Sequence, residues 1–227
     1  PARGWASEPT TPAPAPTGFA AVLGSGDHRV VARLWLVASM ALVRATIRLW
    51  KDDGSLNAWA IQNGARNYWR YHNLGDYYLK TGRADLARDA FSTAVQLRGD
   101  ISHNWSSLGF AEAQLGKTDQ ARAALTSALR LNPDLIFARI TLAKVELREG
   151  NVMLAARVLE EGEPRLQHAD DKSQLGAFYY LLGITYAKLG RRQEAAGHLK
   201  QALELANGPA ELGSARAAIE SMEKANR

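Results

Sequence analysis

The chain has 227 residues, and its 28 basic and 23 acidic side chains give a formal net charge of +5. It contains no cysteine, which excludes disulfides and thiolate metal sites. The sequence has no basic run interleaved with stacking aromatics, so we expect no nucleic-acid partner.

Residues 1–27 are predicted to be a Pro-rich loop or linker. Five of the eight prolines lie within residues 1–16, and the stretch offers few apolar side chains to bury. A secretory signal peptide would need a basic start, an apolar run and a cleavage site, and none can be read here.

Residues 28–50 are predicted to form an apolar helix with a stripe of cations. Arg29, Arg33, Arg44, Arg48 and Lys51 fall on one helical face, with no acidic residue between the first and the last. The uncharged run inside the stripe covers roughly 15 Å, against a hydrocarbon core of about 30 Å. Three interpretations stay open: a helix lying on a membrane surface, the last span of a larger membrane protein, or an amphipathic helix packed on the rest of the chain.

After a connector at residues 51–66, one pattern recurs four times, over residues 68–101, 102–135, 136–175 and 176–209. Such a period indicates a supersecondary unit stacked on copies of itself. Three independent positions keep the same register. The first holds Leu74, Leu108, Leu142 and Leu182; the second holds Gly82, Gly116, Gly150 and Gly190; the third holds Ala87, Ala121, Ala155 and Ala195.

Each unit is predicted to be two amphipathic helices joined at the recurrent glycine. Apolar residues fall at helical spacing on both sides of Gly82, which can adopt the left-handed conformation that ends a helix. Gly75 and Ala87 lie inside the two helices, where small residues imply a close helix–helix contact. The third unit departs from the pattern, with Arg139 in place of an aromatic residue and Gly162 in place of alanine.

Two further features complete the chain. The spacing from the third unit to the fourth is six residues longer, and we expect a longer helix pair or a loop at residues 164–171. Residues 210–227 carry an apolar stripe, Leu212, Ala215, Ile219 and Met222, which predicts a helix that caps the end of the stack.

The repeated residues resemble the tetratricopeptide repeat family over about residues 67–208. The family's order is an aromatic residue, Leu-Gly, Tyr, Ala, Phe or Leu, then Ala. In the second unit, several of these positions are filled as in the family, by Trp105, Leu108, Gly109, Ala121 and Leu125. The resemblance implies an all-α fold: a right-handed α-solenoid of stacked helix-turn-helix repeats with a C-terminal capping helix.

The resemblance also implies where a partner binds, namely on the concave face made by the first helices. The family's clamp for a chaperone tail uses Lys and Asn, but His72 and Asp76 stand at the first two of those positions. We therefore expect an extended peptide or an amphipathic helix instead. The residues at the family's concave-face positions include Trp69, His72, Asp76, His103, Ser106, Phe110, Phe137, Ile140, Lys144, Tyr180 and Ile184.

A second resemblance covers about ten residues, from Arg44 to Asp53. This stretch is similar to the junction at which polytopic membrane glycosyltransferases of the O-mannosyltransferase type pass from their last span into C-terminal tetratricopeptide repeats. In that alternative, the catalytic part would lie upstream of Pro1.

The preferred hypothesis is a protein–protein interaction scaffold that binds a peptide or helix in its groove and associates with a membrane through residues 28–50. We expect no enzyme activity, no cofactor and no small-molecule substrate. His72, His103 and Asp76 could in principle hold a metal ion, but polar residues in a groove more often contact a partner, and we expect no metal site.

Overall fold

A computed structural model describes residues 28–49, 52–168, 171–205 and 209–224 of the chain. The predicted Pro-rich segment, residues 1–27, lies outside the described residues. The helices are α1 His28–Leu49, α2 Asp53–Gln62, α3 Tyr68–Lys80, α4 Ala84–Leu97, α5 Ser102–Gln114, α6 Thr118–Leu131, α7 Ile136–Arg148, α8 Val152–Glu160, α9 Lys172–Lys188, α10 Arg192–Leu205 and α11 Pro209–Lys224, with a 3-10 helix at Glu163–His168.

Helix α1 belongs to a unit of its own, residues 1–51, distinct from the unit formed by residues 52–227. Many of its apolar side chains are exposed, Trp35 by 71% and Leu42 by 68%. Arg33 and Arg44 are exposed as well. None of the described helices is both long enough and apolar enough to cross a membrane.

In the second unit, helices α2 to α11 are stacked so that each contacts the next along the chain. The first helices of neighbouring pairs also meet, α5 against α7 and α7 against α9. This arrangement is the all-α solenoid that the sequence predicts.

The four recurrent glycines end the first helix of each pair. Gly82, Gly116, Gly150 and Gly190 have φ angles of 74°, 72°, 81° and 77°, in the left-handed region that only glycine adopts without a Cβ clash. At the first turn, the Arg83 N–H donates to the Tyr78 carbonyl over 2.8 Å, which closes a Schellman motif. The predicted turns are therefore confirmed at all four positions.

Within each pair, a small residue of the first helix faces a large residue of the second. A Cβ atom at Gly75 would lie 2.6 Å from the Phe91 ring, and one at Gly109 would lie 2.6 Å from Leu125 Cγ. In the fourth pair, the corresponding distance from Gly183 to Leu199 Cγ is 2.7 Å. The large partners are fully buried, so this contact forms the centre of each pair.

The third pair has an arginine and a glycine at the positions where the other units have an aromatic residue and an alanine. Arg139 is 6% exposed, and a Cβ atom at Gly162 would lie 2.4 Å from its Cδ atom. The guanidinium donates to the carbonyl oxygens of Pro133, over 2.9 and 3.2 Å, and of Val158, over 3.0 Å. The two deviations seen in the sequence therefore contact each other, and the glycine leaves the space that the arginine side chain occupies.

The longer spacing between the third and fourth units accommodates a 3-10 helix and an earlier start of α9, and residues 169 and 170 lie outside the described residues. Helix α8 has 9 residues, whereas α6 has 14, and the 3-10 helix follows it. Helix α9 has 17 residues, whereas α7 has 13. It begins after Asp171, whose carboxylate accepts from the N–H groups of Ser173 and Gln174.

Residues 51–66, expected to be a connector, contain helix α2. Asp52 caps its start by accepting from the Ser55 N–H over 2.7 Å. A Cβ atom at Gly54 would lie 2.2 Å from the Tyr77 ring, so α2 packs closely on α3. At the other end of the solenoid, α11 contacts α10 and α9, and its Ala215 is 1% exposed, as the predicted capping helix requires.

An ion pair between a half-buried arginine and a buried carboxylate links the second and third pairs. Glu146 is fully buried and receives two hydrogen bonds from Arg122, of 2.6 and 3.1 Å, and one from Asn151 of 2.8 Å. The Arg122 hydrogen bond is the main reason that the pKa of Glu146 is lowered, with Asn151 adding to it and burial opposing it. Arg122 also bonds Asp119, which is almost fully exposed.

We expect Gly109→Ala to lower the free energy of unfolding by about 1–3 kcal/mol, because the new methyl group overpacks the contact with Leu125. The matched control is Gly197→Ala in α10, where no atom other than those of the adjacent residues and of the helix's own backbone lies within 4 Å of the added Cβ. That change should raise stability by up to about 1 kcal/mol, the helix preference of alanine over glycine. Denaturant unfolding measures both, and equal shifts of the same sign would contradict the packing described.

We expect Glu146→Gln to lower the free energy of unfolding at pH 7 by about 1–3 kcal/mol, because it removes a buried charge-assisted hydrogen bond. A lowered carboxyl pKa stabilises the folded state above the ordinary glutamate value of about 4.3, and this contribution is lost as pH falls through the folded-state pKa. The variant should therefore lose less stability on acidification than the wild type. Asp119 is the exposed partner of the same arginine, and Asp119→Asn should keep the wild-type dependence of stability on pH. If both variants keep this dependence, the pair of Arg122 and Glu146 does not contribute to it.

Candidate functional site

The first helices α5, α7 and α9 line a groove centred on two aromatic rings. The ring centroids of Phe110 and Phe137 lie 5.4 Å apart at an interplanar angle of 49°. The groove encloses a cavity of about 180 Å³. Its lining consists of Phe110, Ala113, Gln114, Phe137, Ile140, Thr141, Lys144, Val145, Arg148, Ser173, Gln174 and Ala177.

Helix α7 supplies half of this lining because its residues recur at helical spacing. Phe137, Thr141, Lys144 and Arg148 follow one another at intervals of three or four, which places them on one face. Lys144 and Arg148 are exposed, and the groove has no carboxylate among its lining residues. The groove therefore combines an aromatic floor with a positively charged rim.

Four of the residues expected to contact a partner meet in this groove: Phe110, Phe137, Ile140 and Lys144. Phe137 is 37% exposed, so part of its ring is open to a ligand. Ile140 is only 6% exposed and contributes to the wall rather than to the open surface. The groove stays a prediction as a binding site, but its geometry suits an inserted apolar side chain.

The remaining expected residues lie elsewhere. Trp69 is 42% exposed and is covered on one side by the Arg70 guanidinium, 4.7 Å from the ring centroid. His103 is exposed, whereas Tyr180 and Ile184 are half-buried. Ile184 lines a separate cavity between α9, α10 and α11.

Ser106, which the family positions place on the binding face, is 2% exposed, and its hydroxyl has no hydrogen-bond partner among the described residues. Its helix, α5, is contacted by α4, α6 and α7. The side chain therefore cannot contact a partner directly, and this expectation is corrected.

His72 and Asp76 form a local polar cluster with a residue that the sequence analysis did not single out. Asn104 is 1% exposed, and its amide nitrogen donates to the carbonyls of Ala94 and Arg98. Its oxygen is therefore the acceptor for His72 Nδ1, at 3.0 Å, while His72 Nε2 lies 3.7 Å from Asp76. In the described part of the chain, no group of three or more His, Cys, Asp or Glu side chains is placed to hold a metal ion.

Other lining residues that the sequence analysis missed come from the ends of helices. Ser173 and Gln174 enter the groove because α9 begins at Lys172, about one turn before the start expected for the fourth unit. The signal for this start was present in Asp171, a residue type that favours the N-cap position.

Comparison with known families identifies the repeats. Sequence models described as tetratricopeptide repeat match residues 70–101, 102–135 and 176–209, which correspond to the first, second and fourth units. Among curated proteins, none matches the chain significantly. These comparisons give no support to a resemblance to O-mannosyltransferases.

Solved structures share the fold at low sequence identity. The crystal structure of TTC0263, a tetratricopeptide repeat protein of Thermus thermophilus, is 22% identical with a TM-score of 0.58 and covers 82% of this chain and 94% of its own. YrrB, described as having an unusual peptide-binding site, is 19% identical with a TM-score of 0.56, over 78% of this chain and 88% of its own. MamA is 23% identical with a TM-score of 0.57, over 66% of this chain and 84% of its own.

Proposed function

Because the chain is a tetratricopeptide repeat protein, we propose that it is a non-enzymatic interaction scaffold that binds a protein segment in the groove of α5, α7 and α9. The observation that carries this proposal is the open pair of rings, Phe110 and Phe137, at the centre of a cavity. Aromatic anchors supply a disproportionate share of binding energy at protein interfaces. YrrB, which has the same kind of fold, has a peptide-binding site.

The charges of the groove indicate the chemistry of the partner. Lys144 and Arg148 stand beside the rings without a carboxylate among the other lining residues. A complementary segment carries an apolar side chain that enters the cavity and an acidic residue nearby. An extended peptide or an amphipathic helix can present both groups.

A second part of the proposal concerns α1, which we propose lies on an anionic membrane surface. Its exposed apolar side chains include Leu34 and Trp35, and Arg33 is exposed beside them. Apolar side chains enter the boundary of a bilayer while arginines interact with anionic headgroups. The repeats would then be held close to the membrane.

The groove is tested by selecting peptides from a displayed random library against the full chain. We expect the selected peptides to combine an apolar and an acidic residue, and to bind the double variant Phe110→Ala, Phe137→Ala at least tenfold more weakly. Trp59→Ala, which removes an exposed aromatic from α2 outside the groove, is the control and should bind normally. If the double variant keeps wild-type affinity while its melting temperature is unchanged, the groove is not the binding site.

The membrane proposal is tested by sedimentation with vesicles. We expect the full chain to sediment with vesicles containing anionic lipids, and residues 52–227 to stay in the supernatant. High salt should release a surface helix, because it screens the attraction between arginines and headgroups. Vesicles of neutral lipid provide the control. Release only by detergent would indicate insertion instead, and a full chain that ignores both kinds of vesicle would refute membrane binding.

A further inference from the structure

A second cavity lies on the side of α7 that faces away from the groove. Arg139, Leu142 and Glu146 of α7 line it, and these residues point roughly opposite to Phe137 and Lys144 on the same helix. The second helices α6 and α8 form its walls. The cavity measures about 620 Å³, within the usual range of small-molecule sites of about 300–1,000 Å³.

Five arginines line this cavity: Arg122, Arg130, Arg139, Arg157 and Arg165. Only two carboxylates accompany them, so the lining has an excess of positive charge.

The existing ion pairs leave most of this excess unneutralised. Arg122 is paired with the buried Glu146, and Arg165 with Asp134 over 2.9 Å. Within the described part of the chain, Arg130 and Arg157 have no carboxylate within 4 Å. Glu161, the second carboxylate of the lining, makes no ion pair with any of the described residues either.

Arg139 places a charge at the base of the cavity. It is 6% exposed, and its hydrogen bonds go to backbone carbonyls rather than to a carboxylate. Burial is the main cause that lowers the pKa of this guanidinium, and the charge of Arg165 adds to it, while the charges of Glu161 and Asp134 oppose it. An arginine stays protonated in proteins, so its charge is available to an anion in the cavity.

The rest of the lining is largely apolar. Leu129 and Pro133 contribute from α6 and the turn that follows it, and Leu154 and Val158 contribute from α8. An inorganic ion would leave these surfaces uncovered, and a purely apolar ligand would leave the arginines without a partner. A ligand that covers the apolar surfaces and also pairs with the arginines must have both an apolar group and an anionic group.

We propose that this cavity binds an organic anion, an apolar group of several carbon atoms that carries a carboxylate or a phosphate. The carboxylate or phosphate interacts with Arg130, Arg139 and Arg157, since guanidinium groups form strong charge-assisted hydrogen bonds with both anions. The apolar group occupies the space between α6 and α8. A free acid and the C-terminal residue of a peptide share this chemistry.

The proposal is tested by titrating the ¹⁵N-labelled full chain with hexanoate and with hexyl phosphate, followed by NMR. We expect saturable shifts of the amide signals of α6 and α8 and of the arginine Nε–H signals. Hexanol and inorganic phosphate, which each present one part of the ligand, should bind at least tenfold more weakly. Equal binding of hexanol and hexanoate, or no saturable shift with either anion, would overturn the proposal.

Two further ligands distinguish the sources of the anion. N-acetyl-leucine represents a peptide C-terminus, and N-acetyl-leucinamide is its neutral counterpart. N-acetyl-leucine that binds more tightly than both its amide and hexanoate supports a peptide C-terminus as the ligand. Tighter binding of hexanoate supports a free acid.

Variants locate the binding to the arginines. Arg130→Gln and Arg157→Gln should each weaken hexanoate binding about tenfold, the effect of one charge-assisted hydrogen bond. Arg66→Gln removes an exposed arginine that lies outside the cavity and should have no effect. Unchanged affinity in both cavity variants would overturn the assignment.

The double variant Phe110→Ala, Phe137→Ala should also bind hexanoate normally, because its residues lie in the other cavity. The anion site and the proposed peptide groove can therefore fail independently.

Discussion

The structure depends on the close approach of two helices in each pair, which requires a small residue in the first helix opposite a large one in the second. Glycine at positions 75, 109 and 183 faces Phe91, Leu125 and Leu199 with no space for a Cβ atom. Glycine is unfavourable inside an isolated helix, so its presence here is explained only by the packing that it permits. The contact sets the distance between the helices and thereby the position of every surface built on them.

Helix α7 shows how this constraint produces surfaces on both sides of one element. Its Ala143 is fully buried and stands at the position that Gly75, Gly109 and Gly183 occupy in the other pairs. With that position fixed, Phe137 and Lys144 are directed into the groove of the first helices, while Arg139 is directed toward the second helices. The aromatic groove and the arginine-lined cavity can therefore exist side by side on one helix.

Much of this fold could be predicted from the sequence because its signals are periodic. The glycine turns and the helix pairs follow from residue types that recur in register, and the terminal helix follows from its apolar stripe. Helix α2 was missed because its sequence, DGSLNAWAIQ, has no apolar stripe, and its packing depends on Gly54 meeting a ring of the next helix. A contact between elements of this kind leaves no periodic signal in either element.

The candidate site was harder to predict for a related reason. Phe110 and Phe137 were identified together because both occupy family positions, and their rings do meet. Ser106 occupies a similar position but is buried, since neighbouring helices close over it. The second cavity was not anticipated at all. The arginine substitution at position 139 was visible only as a departure from the pattern, and its compensation by Gly162 required the geometry of the pair.

The turns between paired helices couple backbone and side-chain interactions in a way that the repeat pattern does not specify. The residue after each turn glycine donates its N–H to the carbonyl five residues earlier, from Arg83 to Tyr78, Lys117 to Glu112, Asn151 to Glu146 and Arg191 to Tyr186.

This backbone bond brings the two side chains together, and the units use the proximity in more than one way. Arg83 and Arg191 lie over the rings of Tyr78 and Tyr186, at 4.9 and 3.9 Å from the centroids. Asn151 instead donates to the carboxylate of Glu146.

In the third unit, a polar residue can thus replace tyrosine in the interior because Asn151 at the turn donates to the Glu146 carboxylate. Where the neighbouring pair adds an arginine, as Arg122 does for Glu146, the carboxylate is also tied to the preceding unit. Variation at the position of Tyr78 and Glu146 therefore changes the connection between units without altering the helix pair itself.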